Sequence, residues 1–270
     1  MKNLIIRTIT GALFVALVVC SVWFSATALL YIFLLFACCA FYEYATLLKE
    51  KNIKLSLMFY VVAVGLYMLP YLQHYQFGKM NFLLATALSL IAVLFIVELF
   101  RKQENPFEVI AFSVLGLIWI VLPFALINIF PIYFGEQAKY LLLMLFIVIW
   151  ANDTLAYCAG SLFGKHKLFE RVSPKKTWEG TLISAVLTMT IACFLPRLFA
   201  LNLTIGQMLI FSAIIIVAGT LGDLIESLFK RTLGVKDSGN ILPGHGGMLD
   251  RFDSYLLAMP FVLFYLILIL

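Results

Sequence analysis

The chain has 270 residues, of which 64% are apolar and 12% charged. An ordinary soluble domain carries about 25% charged residues, so this composition excludes a soluble globular enzyme and a disordered chain alike. The formal charge of +5 is small, and its placement says more than its total.

A membrane-spanning helix needs about 20 apolar residues. Runs of spanning length fall at 4–24, 26–48, 55–73, 82–100, 107–130, 139–161, 178–199, 206–229 and 250–270. The predicted fold class is all-α, a polytopic integral membrane protein with about nine transmembrane helices. Few residues separate the first two runs, which makes the second run the weakest of the set. Lys2 and Arg7 ahead of the first run and Ala26-Thr27-Ala28 after it have the layout of a signal peptide. The apolar stretch is longer than the about 7–15 residues of an h-region, so it reads as a retained span. Pro70 and Pro123 fall late in their runs and are expected to kink them.

With nine spans and a cytoplasmic N-terminus, 16 of the 19 Lys and Arg residues fall on the cytoplasmic side. The outer side receives only Lys79, Lys139 and Arg197. The positive-inside rule then predicts this topology, with the C-terminus outside. Cys20, Cys38, Cys39, Cys158 and Cys193 lie in apolar runs without metal-ligand spacing and imply no disulfide framework. Residues 150–253 hold 8 of the 14 acids and 11 of the 16 glycines, and no internal repeat is visible. This predicts a scaffold over 1–135 (five spans) and a catalytic membrane domain over 136–270 (four spans). The latter carries two polar loops that face the cytoplasm.

Acids within spans are costly, about 2.5–3.5 kcal/mol each at a helix centre. Glu98, beside Arg101 and Lys102, reads as snorkelling. Glu43 lies deeper and is open to two readings, a structural hydrogen-bond partner or a wall of a site. Asp223 and Glu226 are three apart and share a helix face, and Asp250 and Asp253 repeat that spacing. Salt bridges to Lys230, Arg231 and Arg251 are one explanation for these four carboxylates. A divalent cation is the other, and hard oxygen ligands without a His or Cys cluster favour Mg²⁺. The metal candidates are Asp223, Asp250 and Glu226.

Between the two acid pairs runs a basic, glycine-rich loop. Gly244, Gly246 and Gly247 would let successive N–H groups converge on an anion. His245, flanked by glycines, suits a substrate contact or a proton relay. In the earlier loop, Ser173 is the expected N-cap of the next helix, with Pro174 at its first position. Lys175 and Lys176 would then oppose the helix dipole unless a phosphate bound there. Lysines facing anionic headgroups are the plainer alternative. Asn152 and Asp153 add polar groups at the cytoplasmic end of the sixth span. Gly160 and Gly164 suggest close helix packing. His74 and His166 read as solvated. Together these residues point to phosphoryl-type transfer between a soluble nucleotide or phosphate and a lipid.

The run from Ser227 to Asp253, SLFKRTLGVKDSGNILPGHGGMLDRFD, resembles the signature of the phosphatidate cytidylyltransferase (CDP-diacylglycerol synthase) family. Ser227, Lys230-Arg231, Lys236-Asp237, His245-Gly246-Gly247 and Asp250-Arg251-Phe252-Asp253 fill its positions. The SPKKTWEG block and the stretch from Asn152 to Lys165 are also similar to that family. The resemblance implies that CTP and phosphatidate give CDP-diacylglycerol and pyrophosphate, with Mg²⁺ and with K⁺ assisting. It implies a multi-pass protein of the inner (cytoplasmic) membrane, homodimeric, with its active site facing the cytoplasm and no nucleic-acid partner.

Carried onto this chain, the resemblance makes Asp223 and Asp250 metal ligands. Lys230, Arg231, Lys236 and Arg251 become phosphate-binding residues, with Lys175 and Lys176 as a second set. His245, Gly244, Gly246 and Gly247 would shape the nucleotide end. Ser227, Asp237, Asp253, Asn152 and Asp153 complete the expected site. Two other functions fit the composition: a CTP-dependent transferase for another lipid, and a transporter with an intramembrane carboxylate relay. The acids cluster at one face and no repeat is present, which argues against transport. A CDP-alcohol phosphotransferase would need an aspartate pattern that Asp250-Arg251-Phe252-Asp253 does not supply.

Overall fold

The computed structural model describes residues 2–75 and 83–270. Lys79, which the charge count placed on the outer side, lies outside the described residues, as does the side chain of Lys2. The described chain is helical almost throughout, as its apolar runs require: a backbone in lipid must satisfy its own hydrogen bonds. The helices are α1 (Lys2–Phe24), α2 (Ala26–Lys49), α3 (Leu57–Tyr75), α4 (Leu83–Phe100), α5 (Pro106–Gly116), α6 (Leu122–Leu126), α7 (Ile129–Phe134), α8 (Ala138–Phe163), α9 (Trp178–Leu198), α10 (Ile205–Leu233) and α11 (Leu249–Ile269). A single residue, Ser25, separates α1 from α2. Its side chain accepts the Ala28 N–H and so starts the second helix.

Among the described residues, eight helical runs are long and apolar enough to cross a membrane, not the expected nine. The difference is one 58-residue run, Pro106–Phe163, which covers two of the expected spans. At 1.5 Å per residue a straight helix of that length would reach about 87 Å, against a hydrocarbon core of about 30 Å. The run is in fact broken. A tight turn at Ile127 and Asn128, a Gly135 with φ of +51° and a 3₁₀ turn over Gly135–Gln137 separate α5–α6 from α8. Pro123, expected to kink its span, stands at the start of α6, directly after a π-helical turn over Leu117–Val121.

The chain forms two compact units, Met1–Ile132 with Asp237–Arg251, and Tyr133–Lys236 with Phe252–Leu270. The first has an aromatic core. Phe41 and Phe59 lie 4.1 Å apart between ring centroids, and Phe33, Tyr44 and Phe124 are fully buried around them. The Tyr44 hydroxyl donates to the Phe112 carbonyl at 2.8 Å, and the Tyr67 hydroxyl to that of Leu30 at 2.7 Å. Both phenols thereby find acceptors that lipid cannot offer. On α4 only Leu94 and Glu98 are buried, and Leu84, Leu99 and Phe100 point outward as lipid-facing residues do.

In the second unit small residues let helices touch. Gly160 of α8 meets Gly180 of α9 so closely that a side-chain carbon on Gly180 would sit 2.9 Å from the Gly160 Cα. This is the packing that the Gly160–Gly164 spacing suggests. Gly222 of α10 lies against the α11 backbone, where a Cβ would come within 2.5 Å of the Asp253 carbonyl oxygen.

The loop before α9 departs from expectation. Ser173–Thr177 is a strand, β2, pairing antiparallel with β1 (Lys167–Phe169). Ser173 is therefore not the N-cap and Pro174 is not the first helical residue. Thr177 caps α9 by accepting the Gly180 N–H. Pro174 is tolerated because its strand is an edge that needs no further donor. Lys175 and Lys176 thus lie on a strand, and the helix-dipole argument for them does not apply.

Replacing Gly222 with Ala is expected to cost about 1–3 kcal/mol, since the added methyl must push apart two helix backbones. A thermal melt in detergent would show a lowered Tm. An unchanged Tm would mean that α10 and α11 do not pack this closely.

Candidate functional site

The signature residues divide between the two units, so each group is built up in its own unit. In the first, the loop of residues 237–248 folds back on itself. The Leu242 N–H bonds the Gly246 carbonyl at 3.1 Å, and the His245 N–H the Leu242 carbonyl at 2.9 Å. Gly244 and Gly246 have φ of +78° and +82°, values that side chains disfavour, which is why glycine flanks the histidine. The Asp250 carboxylate accepts the Gly247 N–H at 2.8 Å and the Ser238 N–H at 3.1 Å. It closes the loop onto the first turn of α11.

Glu43 of α2 completes this arrangement. It is 3% exposed, yet its two oxygens take three donors: the Met248 N–H at 3.0 Å, the Leu249 N–H at 2.9 Å and the Ser238 hydroxyl at 3.2 Å. A carboxylate at a helix N-terminus is favoured by orphan N–H groups and by the dipole. Of the two readings open for Glu43, the structure shows the hydrogen-bond partner. The loop's donors thus meet internal carboxylates: the Gly247 N–H, expected to face an anion, is given to Asp250.

His245 is tied to α1. Its Nδ1 lies 2.7 Å from the Thr10 hydroxyl, which also lies 3.1 Å from the Pro243 carbonyl. Arg7, on the same helix, sits against Gly244. Partial burial, then the positive charges of Arg251 and Arg7, hold the His245 imidazole below its ordinary pKa. Arg251 itself is exposed.

In the second unit, Asp223 and Glu226 part company despite sharing a face. The Asp223 carboxylate is bound by Lys176 of β2 at 2.6 Å and lies 3.3 Å from the Ser227 hydroxyl, which donates to it. Glu226, 1% exposed, pairs with Lys230 one turn on, at 2.5 Å. The salt-bridge reading therefore holds for Glu226, and its carboxylate is committed to Lys230 rather than open to a cation. Asp253, on α11, feels the negative charges of Asp223 and Asp153 and the positive charge of Lys176. Asn152 is buried and accepts the Ser184 hydroxyl at 3.1 Å, binding α8 to α9.

The other expected residues keep to the surface. Arg231 donates to the Val235 carbonyl beside the left-handed C-cap Gly234. Lys175, Lys236 and Asp237 are exposed. His166, read as solvated, is exposed and pairs with Glu179, and His74 is exposed. Glu98 pairs with Arg101.

Among the described residues, no group of three or more His, Cys, Asp and Glu side chains could hold a metal ion. Lys230 occupies Glu226, and Asp223 and Asp250 come from different units. Asp223 and Asp250 nonetheless have the hard oxygen chemistry that suits Mg²⁺. Sequence reasoning missed Thr10, an unremarkable helical threonine, and assigned Arg7 only to membrane orientation.

Two outcomes are expected. Glu43→Gln should lower stability by about 1–3 kcal/mol, because an amide group then faces a donor in a buried site. It should also speed protease cleavage within 237–247; unchanged Tm and cleavage would contradict the anchoring role. Lys230→Met should cost about 3–5 kcal/mol by leaving Glu226 buried and unpaired. Adding Glu226→Leu should recover most of the Tm. If turnover stays lost in that refolded double variant, Lys230 also serves the substrate.

Comparison with known proteins agrees with the signature. A family model described as "Cytidylyltransferase family" matches residues 5–269. The phosphatidate cytidylyltransferase of Staphylococcus haemolyticus is 32% identical over 258 residues, 94% of this chain and 96% of its own. That of Bacillus subtilis is 34% identical over 232 residues, 84% of each chain. A third, from Staphylococcus saprophyticus, is 38% identical over 178 residues, 64% of this chain and 66% of its own. A membrane protein built of apolar helices, with this signature at its loops and this match along nearly its whole length, belongs to the cytidylyltransferase family.

Proposed function

We propose that the protein transfers the cytidylyl group of CTP to phosphatidate, forming CDP-diacylglycerol and releasing pyrophosphate. The observation that carries this reading is the filled signature from Ser227 to Asp253 within a family match over residues 5–269. An oxygen of the lipid phosphate attacks the α-phosphorus of CTP. The bond from that phosphorus to the bridging oxygen breaks, and pyrophosphate leaves with the electron pair. The lipid phosphate is already an anion, so the step needs no strong base. It needs the charge of two phosphate-bearing substrates offset and the leaving group stabilised. Arg231, Lys236 and Arg251 supply fixed positive charge, with Lys175 and Lys176 as a second set. His245 contacts the nucleotide.

Mg²⁺ is the proposed cation, with K⁺ beside it, and Asp223 and Asp250 are its proposed carboxylates. The support is the signature together with the habit of Mg²⁺ to bind one or two carboxylates and the substrate's own phosphates. When bound, it would neutralise charge on the nucleotide phosphates. The distribution of Lys and Arg supports a site open to the cytoplasm, where CTP is found. Family resemblance supports a homodimer in the cytoplasmic membrane.

Purified protein in detergent, given α-labelled CTP, phosphatidate and Mg²⁺, is expected to move label into the lipid phase and release pyrophosphate. Asp250→Asn and Asp223→Asn should each raise the Mg²⁺ requirement about 10-fold or more. Label passing instead to another lipid, with phosphatidate inert, would refute the acceptor. An unchanged Mg²⁺ requirement in both variants would refute the metal assignment.

A further inference from the structure

The hydroxyl of Thr10 has one proton and four neighbours within bonding distance. They are the carbonyls of Ile6 at 2.9 Å, Arg7 at 3.2 Å and Pro243 at 3.1 Å, and the Nδ1 of His245 at 2.7 Å. A carbonyl can only accept, so three of these neighbours compete for the one proton. If the hydroxyl gave its proton to Nδ1, its oxygen would be left against three carbonyl oxygens with no proton between them. If Nδ1–H donates instead, the hydroxyl accepts from the ring and gives its own proton to a carbonyl. A helical threonine does this by default to the residue four back. The second arrangement makes two hydrogen bonds where the first makes one.

The other edge of the ring is compatible with the same assignment. Nε2 faces α1 at Gly11, where a side-chain carbon would stand 3.2 Å from both Nε2 and Cε1. Glycine at that position keeps a side chain off that edge. Partial burial, then the charges of Arg251 and Arg7, hold the ring's pKa below its ordinary value and so favour the neutral form, whose two tautomers are distinct states.

We infer that Thr10 is a positioning residue that fixes the Nδ1–H tautomer of His245, and that Nε2 is thereby presented as a hydrogen-bond acceptor. Its ligand is a donor on the nucleotide, a ribose hydroxyl or a base amine, not a phosphate oxygen, which can only accept. The inference rests on the proposed contact between His245 and CTP. It divides labour around the loop: cations take the phosphates, and a neutral histidine takes a nucleoside donor.

The chain has only three histidines, His74, His166 and His245. Nitrogen-15 NMR of histidine-labelled protein in detergent can therefore read the tautomer, with His245→Gln identifying the signal. The expected spectrum has a protonated Nδ1 and an unprotonated Nε2 at His245. Thr10→Val should shift the balance toward Nε2–H and raise KM for CTP about 5- to 10-fold, the loss of one hydrogen bond. KM for phosphatidate should not move. Thr10→Ser should restore the tautomer and most of the affinity.

A protonated Nε2 in the unaltered protein, or an unchanged tautomer in Thr10→Val, overturns the inference. So does Thr10→Ser failing as badly as Thr10→Val. An unchanged KM for CTP in His245→Gln overturns the acceptor role whatever the tautomer. The NMR reading needs no turnover, so an enzyme that made no CDP-diacylglycerol would refute the proposed reaction and leave the tautomer to be judged by itself.

Discussion

A carboxylate buried in an apolar helix has to be satisfied where it stands, and Glu43 is satisfied by the loop that carries the signature. Its two oxygens collect the first N–H groups of α11 and the hydroxyl of Ser238. Neither party is stable alone. Without the loop the carboxylate would be left without its donors, and without the carboxylate the helix would begin on orphan donors. Hydrogen bonds to a charged acceptor contribute about 1.5–3 kcal/mol each, enough to specify one loop conformation. Asp250 then closes the turn with the donors that Glu43 leaves. His245 sits in the turn this closes, where the Leu242 N–H bonds the Gly246 carbonyl and the His245 N–H the Leu242 carbonyl.

The second unit solves a related problem with ion pairs. Lys176 offsets Asp223, and Lys230 offsets Glu226. The two pairs differ in burial, and the difference has chemical consequences. Glu226 and Lys230 are both buried, and that bridge would be expensive to open. Asp223 and Lys176 are each about a quarter exposed, so their bridge is screened by water and can be exchanged for other charges. A phosphate could draw away the lysine and a cation could take the aspartate. Small residues make the arrangement possible: Gly222 lets α10 touch the α11 backbone beside Asp253.

Cytidylyl transfer between two phosphate-bearing substrates is governed by charge more than by covalent chemistry. The chain answers with basic residues at its polar loops, carboxylates suited to a hard cation and a histidine whose pKa is held down by burial and two arginines. The scaffold half is not inert in this. α1 supplies Thr10 and Arg7 to the signature loop, and α2 supplies Glu43.

Most of the fold was legible in the sequence because hydropathy is local. Each span boundary follows from where twenty or so apolar residues begin and end, and the family follows from residues within one short run. One local reading failed for a local reason. Ser173 and Pro174 have the chemistry of a helix start, but the pairing of Lys167–Phe169 with Ser173–Thr177 moved the start to Trp178. The split of Pro106–Phe163 into two runs at 130 and 139 was legible, since the polar stretch 135–139 interrupts the apolar residues where the structure turns. The site was legible in its residue types and not in its pairings. Spacing placed Asp223 and Glu226 together, whereas packing gave one to Lys176 and the other to Lys230. Glu43 meets Leu249 across 206 positions of sequence, and Thr10 meets His245 across 235. No periodicity reaches that far. The sequence by itself determined which groups had to be satisfied inside the membrane, and the tertiary structure decided which partner satisfies each, because partners are chosen by proximity that only packing creates.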